Sequence, residues 1–252
     1  MKVFAACLLA GAVFAGAAVA AAPAIKPYLA KALADPGRGD VAATDARRHP
    51  GELLAFAGVK PSDRVVDLIP GSGYFTRVFA KAVGPSGRVY MVWPDKYAQE
   101  AAKDVVASHA LEKDKAYGNI EVLEQPADDF KTPHPVDLVF TAQNYHDYPD
   151  KFMGKLDPVD FDRQVFKALK PGGVFLVVDH AAEAGSGMRD TDTLHRIDPA
   201  IVRKQVTSVG FEYAGESDVL RNPADDHKKL VFDKSIRGHT DQFVYKFRKP
   251  RK

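Results

Sequence analysis

From residue 50 onward the chain alternates short apolar runs with longer amphipathic ones. Segments 64–68, 88–92, 120–123, 136–141 and 174–178 have the length and composition of strands. Between them, 74–83, 96–110, 158–169 and 199–209 repeat their apolar residues at helical spacing, and 211–217 and 243–247 close the series as strands. VDLVF at 136–140 and VFLVV at 174–178 are interrupted only by Asp137, the pattern of strands covered on both faces. Strand–helix alternation of this kind predicts a parallel sheet with helices on each side. Ahead of it, 50–57 reads as a helix. Pro50 suits the first turn, Leu53, Leu54, Phe56 and Ala57 give an apolar face, and Gly58 ends it. In the lead-in 23–45, Tyr28, Leu29, Leu33 and Val41 predict a short helix or two, broken at Pro36 and Gly37.

The segment 1–22 follows a different pattern. Lys2 is followed by a small, apolar run over 3–21, with Ala18, Val19 and Ala20 offering a cleavage site, which is the shape of a secretory signal peptide. Its Ala and Gly content argues against a retained anchor. The expected organisation is a signal peptide 1–22, the lead-in 23–45 and one domain over 46–252. The mature protein is then periplasmic or secreted, with no stable membrane span after cleavage. Cys7 is the only cysteine and lies in the removed segment, so the mature chain has no disulfide, thiolate nucleophile or cysteine metal site.

Composition is that of an ordinary globular domain, and a formal net charge of +2 creates no strong field. The basic end, with Lys246, Arg248, Lys249, Arg251 and Lys252, reads as the solvated end of a strand. Without a wider basic patch and aromatic platforms, no nucleic-acid partner is expected.

Chemistry enters at RVVDLIPGSGYFT, residues 64–76. A strand ends near Asp67, Gly71 and Gly73 form a turn, and a helix begins whose free amides can face a ligand. KPGG at 170–173 turns a helix into a buried strand, and VGFEY at 209–213 turns a helix into a late strand. With the 136–140 strand between them, these segments resemble, in order and spacing, the class I methyltransferases that use S-adenosylmethionine (SAM). More closely they resemble a group of predicted exported bacterial methyltransferases that share RHP at 48–50, YHD at 145–147 and RNP at 221–223. The resemblance spans about residues 40–250. It implies an α/β fold: a doubly wound, mostly parallel seven-stranded sheet of order 3-2-1-4-5-7-6 with strand 7 antiparallel. It also implies S-adenosyl-L-methionine as cofactor and a small-molecule substrate that accepts the methyl group. The cofactor residues it suggests are Asp67, Pro70, Gly71, Ser72, Gly73, Tyr74 and Asn144. Two departures stand out. Ile69 occupies the place of the family's first glycine, and Val92 and Trp93 stand where an acid usually binds the ribose. Asp95 is the expected substitute for that acid, and Asp128, beside Asp129, the expected partner of the adenine.

In an open α/β sheet the ligand lies where the strand order reverses, here between strands 1 and 4. Gly71 should therefore sit beside the loop TAQNYHDY, 141–148. The expected catalytic residues are His146 as general base, Asp147 to orient it, and Tyr145 and His180 beside them. His195 and Arg196 follow a glycine-rich stretch, 185–187, that reads as a lid. No compact ligand spacing is present, so no metal is expected. A nicotinamide site would need glycine where Thr76 stands, and neither a P-loop nor a nucleophile elbow occurs. The rival reading is an exported binding or structural protein that kept the fold and lost SAM binding. Ile69, Val92 and Trp93 point to loss, and the 144–147 cluster to retention.

Overall fold

The computed structural model describes residues 24–154 and 156–252, so the expected signal peptide lies outside the described residues. Helices α1 (Pro27–Leu33), α2 (Asp45–Arg48) and α3 (Pro50–Ala57) lead into β1 (Arg64–Leu68). Next come α4 (Tyr74–Val83), β2 (Arg88–Pro94), α5 (Asp95–Glu100), α6 (Ala102–Glu112), β3 (Ile120–Gln125) and β4 (Val136–Ala142). The chain ends with α7 (Pro158–Ala168), β5 (Leu169–His180), α8 (Thr191–Leu194), α9 (Pro199–Ser208), β6 (Glu212–Glu216) and β7 (Gln242–Arg248). The strands form one sheet in the order β3-β2-β1-β4-β5-β7-β6. Strands β1 to β5 pair in parallel, and β7 runs antiparallel to both β5 and β6. The expected architecture is therefore the observed one.

Alternate residues of each strand face opposite sides. On one face Val66, Val139, Phe175 and Val177 pack with Phe161 and Val165 of α7 and Val202 and Val206 of α9. On the other, Val65, Val89, Phe140 and Leu176 pack with Leu53 and Leu54 of α3, Val78 and Phe79 of α4 and Leu29 of α1. Each such buried side chain contributes about 1.5–3 kcal/mol of transfer free energy. The helix starts are specified locally. Asp157 accepts a backbone N–H bond from Val159 at 2.8 Å, and Pro158 follows that cap. Asp198 does the same for Ala200 at 2.9 Å, followed by Pro199.

Two expectations are corrected. The helix expected at 96–110 is two helices, broken at Ala101 (φ −102°, ψ 30°). The break lets α5 cover the end of β2 while α6 lies along β3. Trp93 is buried under α6, donating its indole N–H to Ser108 Oγ at 3.1 Å. The turn expected at 170–173 is instead folded into β5. That strand starts at Leu169, with an irregular register opposite 136–138. Gly172, in the left-handed region, takes the bend. Lys170 Nζ binds both oxygens of Asp137, at 2.8 and 2.7 Å.

Between β6 and β7 the chain runs without a regular element and is tied down by buried charge. The fully buried Arg196 guanidinium donates to both Asp225 oxygens (2.8 and 3.1 Å), to Ala181 O (2.9 Å) and to Lys229 O (2.8 Å). Asp241 accepts from the Arg221 guanidinium (2.8 and 3.0 Å) and the Asn222 N–H (2.7 Å), so the RNP segment is scaffold. Burial pushes both carboxyls up, but Arg196 at Asp225, Arg221 at Asp241, and the backbone N–H donors outweigh it and hold both below the ordinary value. Their stabilisation is thus fully present above the unfolded carboxylate value near pH 4, and is lost as pH falls through the folded values. We expect Arg196→Leu to cost about 3–5 kcal/mol at pH 7, because Asp225 stays buried without its cation. Burial of Asp225 without that cation raises its folded value above the unfolded one, so the cost of the substitution should shrink as pH falls toward about 4 and grow as pH rises. Urea midpoints from pH 3 to 8 check both points.

Candidate active site

The turn after β1 carries the first part of the site. Ile69 adopts the left-handed conformation (φ 51°) that a glycine would take there. For a β-branched residue this costs on the order of 1–3 kcal/mol. Its N–H donates to Val92 O (2.9 Å), and its carbonyl accepts from Asn144 Nδ2 (3.2 Å). Gly71 (φ 56°) has open space where a Cβ would stand. Gly73 (φ 80°) is a packing glycine, because a Cβ there would meet Leu111 Cδ2 at 2.9 Å. Gln143 (φ 67°) and His195 (φ 53°) are left-handed too, and both line the same cavity as Ile69.

That cavity, of about 930 Å³, opens at the carboxyl ends of β1 and β4. The turn from Asp67 to Ser72 lines one side, and the loop from Ala142 to Asp147 lines another. Tyr97, Phe152 and Phe232 add aromatic surface, and Glu100 and Asp104 add carboxylates. Arg48, from the RHP segment, reaches the cavity with its guanidinium over the rings of Tyr74 (4.3 Å) and Phe75 (4.6 Å). Burial pushes the Asp67 carboxyl up to about 7, against the Thr76 hydroxyl bond (2.6 Å) and the charge of Arg48.

The histidines are organised by Asp179, fully buried near the end of β5. Its carboxylate accepts the His146 backbone N–H (2.8 Å), the His146 Nδ1–H (2.8 Å) and the His180 N–H (2.7 Å). His146 Nε2 lies 3.2 Å from Asp147 Oδ1, and His195 Nδ1 lies 3.8 Å from the same oxygen. Burial alone would push the His146 imidazole down. Asp179 and Asp147 outweigh it and raise the ring to about 10. Burial likewise pushes Asp147 up, but His146 and His195 hold it below the ordinary carboxylate value. His180 goes the other way: burial lowers it to about 4, and its Nδ1 meets Thr240 Oγ1 at 2.7 Å. The two flanking carboxylates favour the protonated form of His146, which runs against its reading as a general base.

Of the residues singled out in the sequence, the cavity gathers Asp67, Pro70, Gly71, Ser72, Tyr74, Asn144, His146, Asp147 and His180. Gly73, Asp95, Asp128 and Tyr145 do not line it. Asp95 begins α5 and accepts the neighbouring Lys96 N–H (2.7 Å). Asp128 is exposed on the short turn Ala127–Asp129. Tyr145 is fully buried in the core and donates to Asp162 Oδ2 (2.9 Å). The sequence reading missed Arg48, Tyr97, Glu100, Asp104, Phe152 and Phe232 as cavity residues. Glu100 and Asp104 carried a signal, two acids four apart following strand 2. Phe232 carried none, because it sits in the irregular 218–241 stretch. Among the described residues, no helix is long and apolar enough to cross a membrane.

Sheet order and cavity position together define the class I methyltransferase fold. No family model matches the chain. It is similar to the ubiquinone/menaquinone biosynthesis C-methyltransferase UbiE of Ectopseudomonas mendocina, with 28% identity over 199 residues. That alignment covers 77% of this chain and 65% of the relative, so the chain spans just under two thirds of that protein's length. Among solved structures it resembles a SAM-dependent methyltransferase of Aquifex aeolicus, with TM-score 0.53 and 19% identity over 88% of this chain and 99% of the other. It also resembles the cyclase SpnF, with TM-score 0.60 and 15% identity over 81% of each chain. These structural likenesses are likenesses of fold, and the fold is one that serves more than one reaction.

Replacing Asp179 by Asn removes one of the two charges that hold His146 protonated. The His146 imidazole should then titrate well below its value of about 10, moving toward the ordinary value near 6.5. Imidazole ¹⁵N shifts followed against pH in chelator-treated protein measure this, and an unmoved midpoint would remove Asp179 as the cause.

Proposed function

We propose that this protein is a SAM-dependent methyltransferase acting on a small-molecule acceptor. The observation that carries the reading is the Asn144–Ile69 hydrogen bond, which joins the glycine turn and the histidine loop over one cavity. The cavity's chemistry fits the cofactor. Gly71 leaves room for close approach to the backbone. Asp67, Glu100 and Asp104 supply acceptors for an ammonium group and ribose hydroxyls, and Tyr97 and Phe152 supply flat apolar surface for a purine. In this reading Glu100 and Asp104 replace the acid absent from the end of β2, where Trp93 is committed to Ser108. This fit favours retention of SAM binding over a scaffold that has lost it.

When bound, SAM supplies an activated methyl group on a sulfonium. The protein's work is then to hold the acceptor in line and to exclude water. Arg48 and the Asp67 carboxyl stand on the side of the glycine turn, and the histidines on the side of β5. His180, whose imidazole burial keeps from protonating, borders the cavity on that side. The UbiE relative is named for C-methylation in quinone biosynthesis. An electron-rich aromatic acceptor suits the ring of Phe232 here.

Calorimetry with S-adenosylhomocysteine tests the reading. Asp104→Asn and Glu100→Gln should each weaken binding at least about tenfold, the scale of a lost charged hydrogen bond of about 1.5–3 kcal/mol. Asp95→Asn and Asp128→Asn should leave it unchanged. Absence of heat from the wild type at millimolar ligand would sink the proposal.

We also propose that the chain is exported, on the strength of the segment 1–22. Intact mass of the protein recovered from the periplasm of a bacterial host should correspond to a start shortly after Ala20 or Ala22. A product retaining Lys2 would contradict this.

A further inference from the structure

We propose that His146 Nε2, Asp147 Oδ1 and His195 Nδ1 bind one divalent first-row transition-metal ion in the cavity wall. This inference does not rest on the methyltransferase reading. The candidate ligand atoms of these three residues all lie within 4.8 Å of one another, and no other group of this kind occurs among the described residues. Ligand arms of about 2.1 Å in a tetrahedral shell put neighbouring donor atoms roughly 3.4 Å apart. Two of the three separations, 3.2 and 3.8 Å, already bracket that spacing.

The surroundings have the form of a supporting shell. A ligating imidazole usually gives its other N–H to a carboxylate, which fixes the ring and its tautomer. Asp179 does this for His146, taking the Nδ1–H at 2.8 Å and the backbone N–H at 2.8 Å, so that Nε2 is the nitrogen left for the ion. The backbone of His195 is fixed as well. It is left-handed (φ 53°) directly before Arg196, whose guanidinium is buried and bonded to Asp225 and to the carbonyls of Ala181 and Lys229. The ion would lie between His146 Nε2 and Asp147 Oδ1, now 3.2 Å apart, and its binding would release any proton they share. The His195 side chain is 30% exposed, which leaves an entry path from the cavity.

The donor set selects the metal. Two imidazoles and one carboxylate suit Zn²⁺, Mn²⁺, Fe²⁺ or Ni²⁺ and disfavour Ca²⁺ and Mg²⁺, which take oxygen shells. Three protein ligands leave coordination positions open toward the cavity, as in metal sites that bind water or a substrate oxygen. This grouping has no signature along the chain, because His146 and His195 are far apart in it. The loop after β4 and the turn after α8 bring them to one rim.

Equilibrium dialysis of chelator-treated protein against Zn²⁺, with metal counted by mass spectrometry, tests the site directly. We expect about one zinc per chain, with Mg²⁺ unable to compete at a hundredfold excess. His195→Ala and Asp147→Asn should each weaken binding more than about 100-fold, and Asp179→Asn about 10- to 100-fold. His195 is partly exposed, so circular dichroism of that variant should match the wild type and separate lost ligation from lost folding. The surface cluster of His109 with Glu112 and Glu124 is the control, and His109→Ala should leave the count unchanged. A wild type that binds no zinc, or zinc retained in both His195→Ala and Asp147→Asn, would overturn the proposal. Zinc lost only with His109→Ala would do the same. Failure here leaves S-adenosylhomocysteine binding untouched, so the two readings fail separately.

Discussion

A carboxylate with no exposure is costly to hold unless its lone pairs are met by donors, and Asp179 is met by three. Two of those donors belong to His146 and the third is the backbone of His180, so one buried charge sets the positions of two cavity histidines. It also separates their charge states. Asp179 and Asp147 together favour the protonated form of His146, while burial of His180 outweighs Asp179 and disfavours its protonated form. The two histidines are close, with ring centroids 6.1 Å apart, yet they differ in what they can do.

The sheet supplies the frame in which this charge acts. Strands β1 and β4 are neighbours, and their chains depart in opposite directions around the sheet, so a gap forms where both end. The left-handed residues Ile69, Gln143 and His195 stand around that gap. Non-glycine residues hold such conformations only where the surrounding structure leaves them little choice. Here the constraints are visible. Val92 and Asn144 bond the Ile69 backbone, the Gln143 N–H donates to Val178 O at 2.8 Å, and the Arg196 anchor follows His195.

Much of the frame was legible in the sequence because burial on both faces leaves uninterrupted apolar runs, and caps such as Asp157 and Asp198 mark the helix starts. The β1 turn was legible too. Ile69 shows the limit of the motif: a missing glycine did not mean a missing bend, because hydrogen bonds elsewhere enforce the same φ. Asp95 and Asp128 were poor guesses for a geometric reason. Each sits beyond a strand end, but one begins α5 and the other lies on an exposed turn, whereas the break at Ala101 brings both Glu100 and Asp104 to the cavity. Tyr145 was misplaced by adjacency. On a short turn, neighbours point apart, and its hydroxyl goes to Asp162 while His146 faces the cavity. Phe232 was beyond reach because only the tertiary path of 181–241 brings it to the cavity.

Two sets of buried charge can be told apart by what surrounds them. Arg196 and Asp225 are sealed, with the guanidinium and the carboxylate almost wholly inaccessible and Nε and Nη1 also donating to the carbonyls of Lys229 and Ala181. Nothing from solution can reach such a pair, so its effect is confined to fixing the chain around it. His146 and Asp147 are nearly as buried, yet both border the 930 Å³ cavity, and their partner His195 is partly exposed. A charged cluster of that kind keeps one open side. In a low-dielectric wall an open side is where an incoming charge, proton or cation is felt most strongly. The same desolvation acts on Arg196 and on the histidine cluster, and what separates the sealed pair from the open one is the cavity and not the residue types.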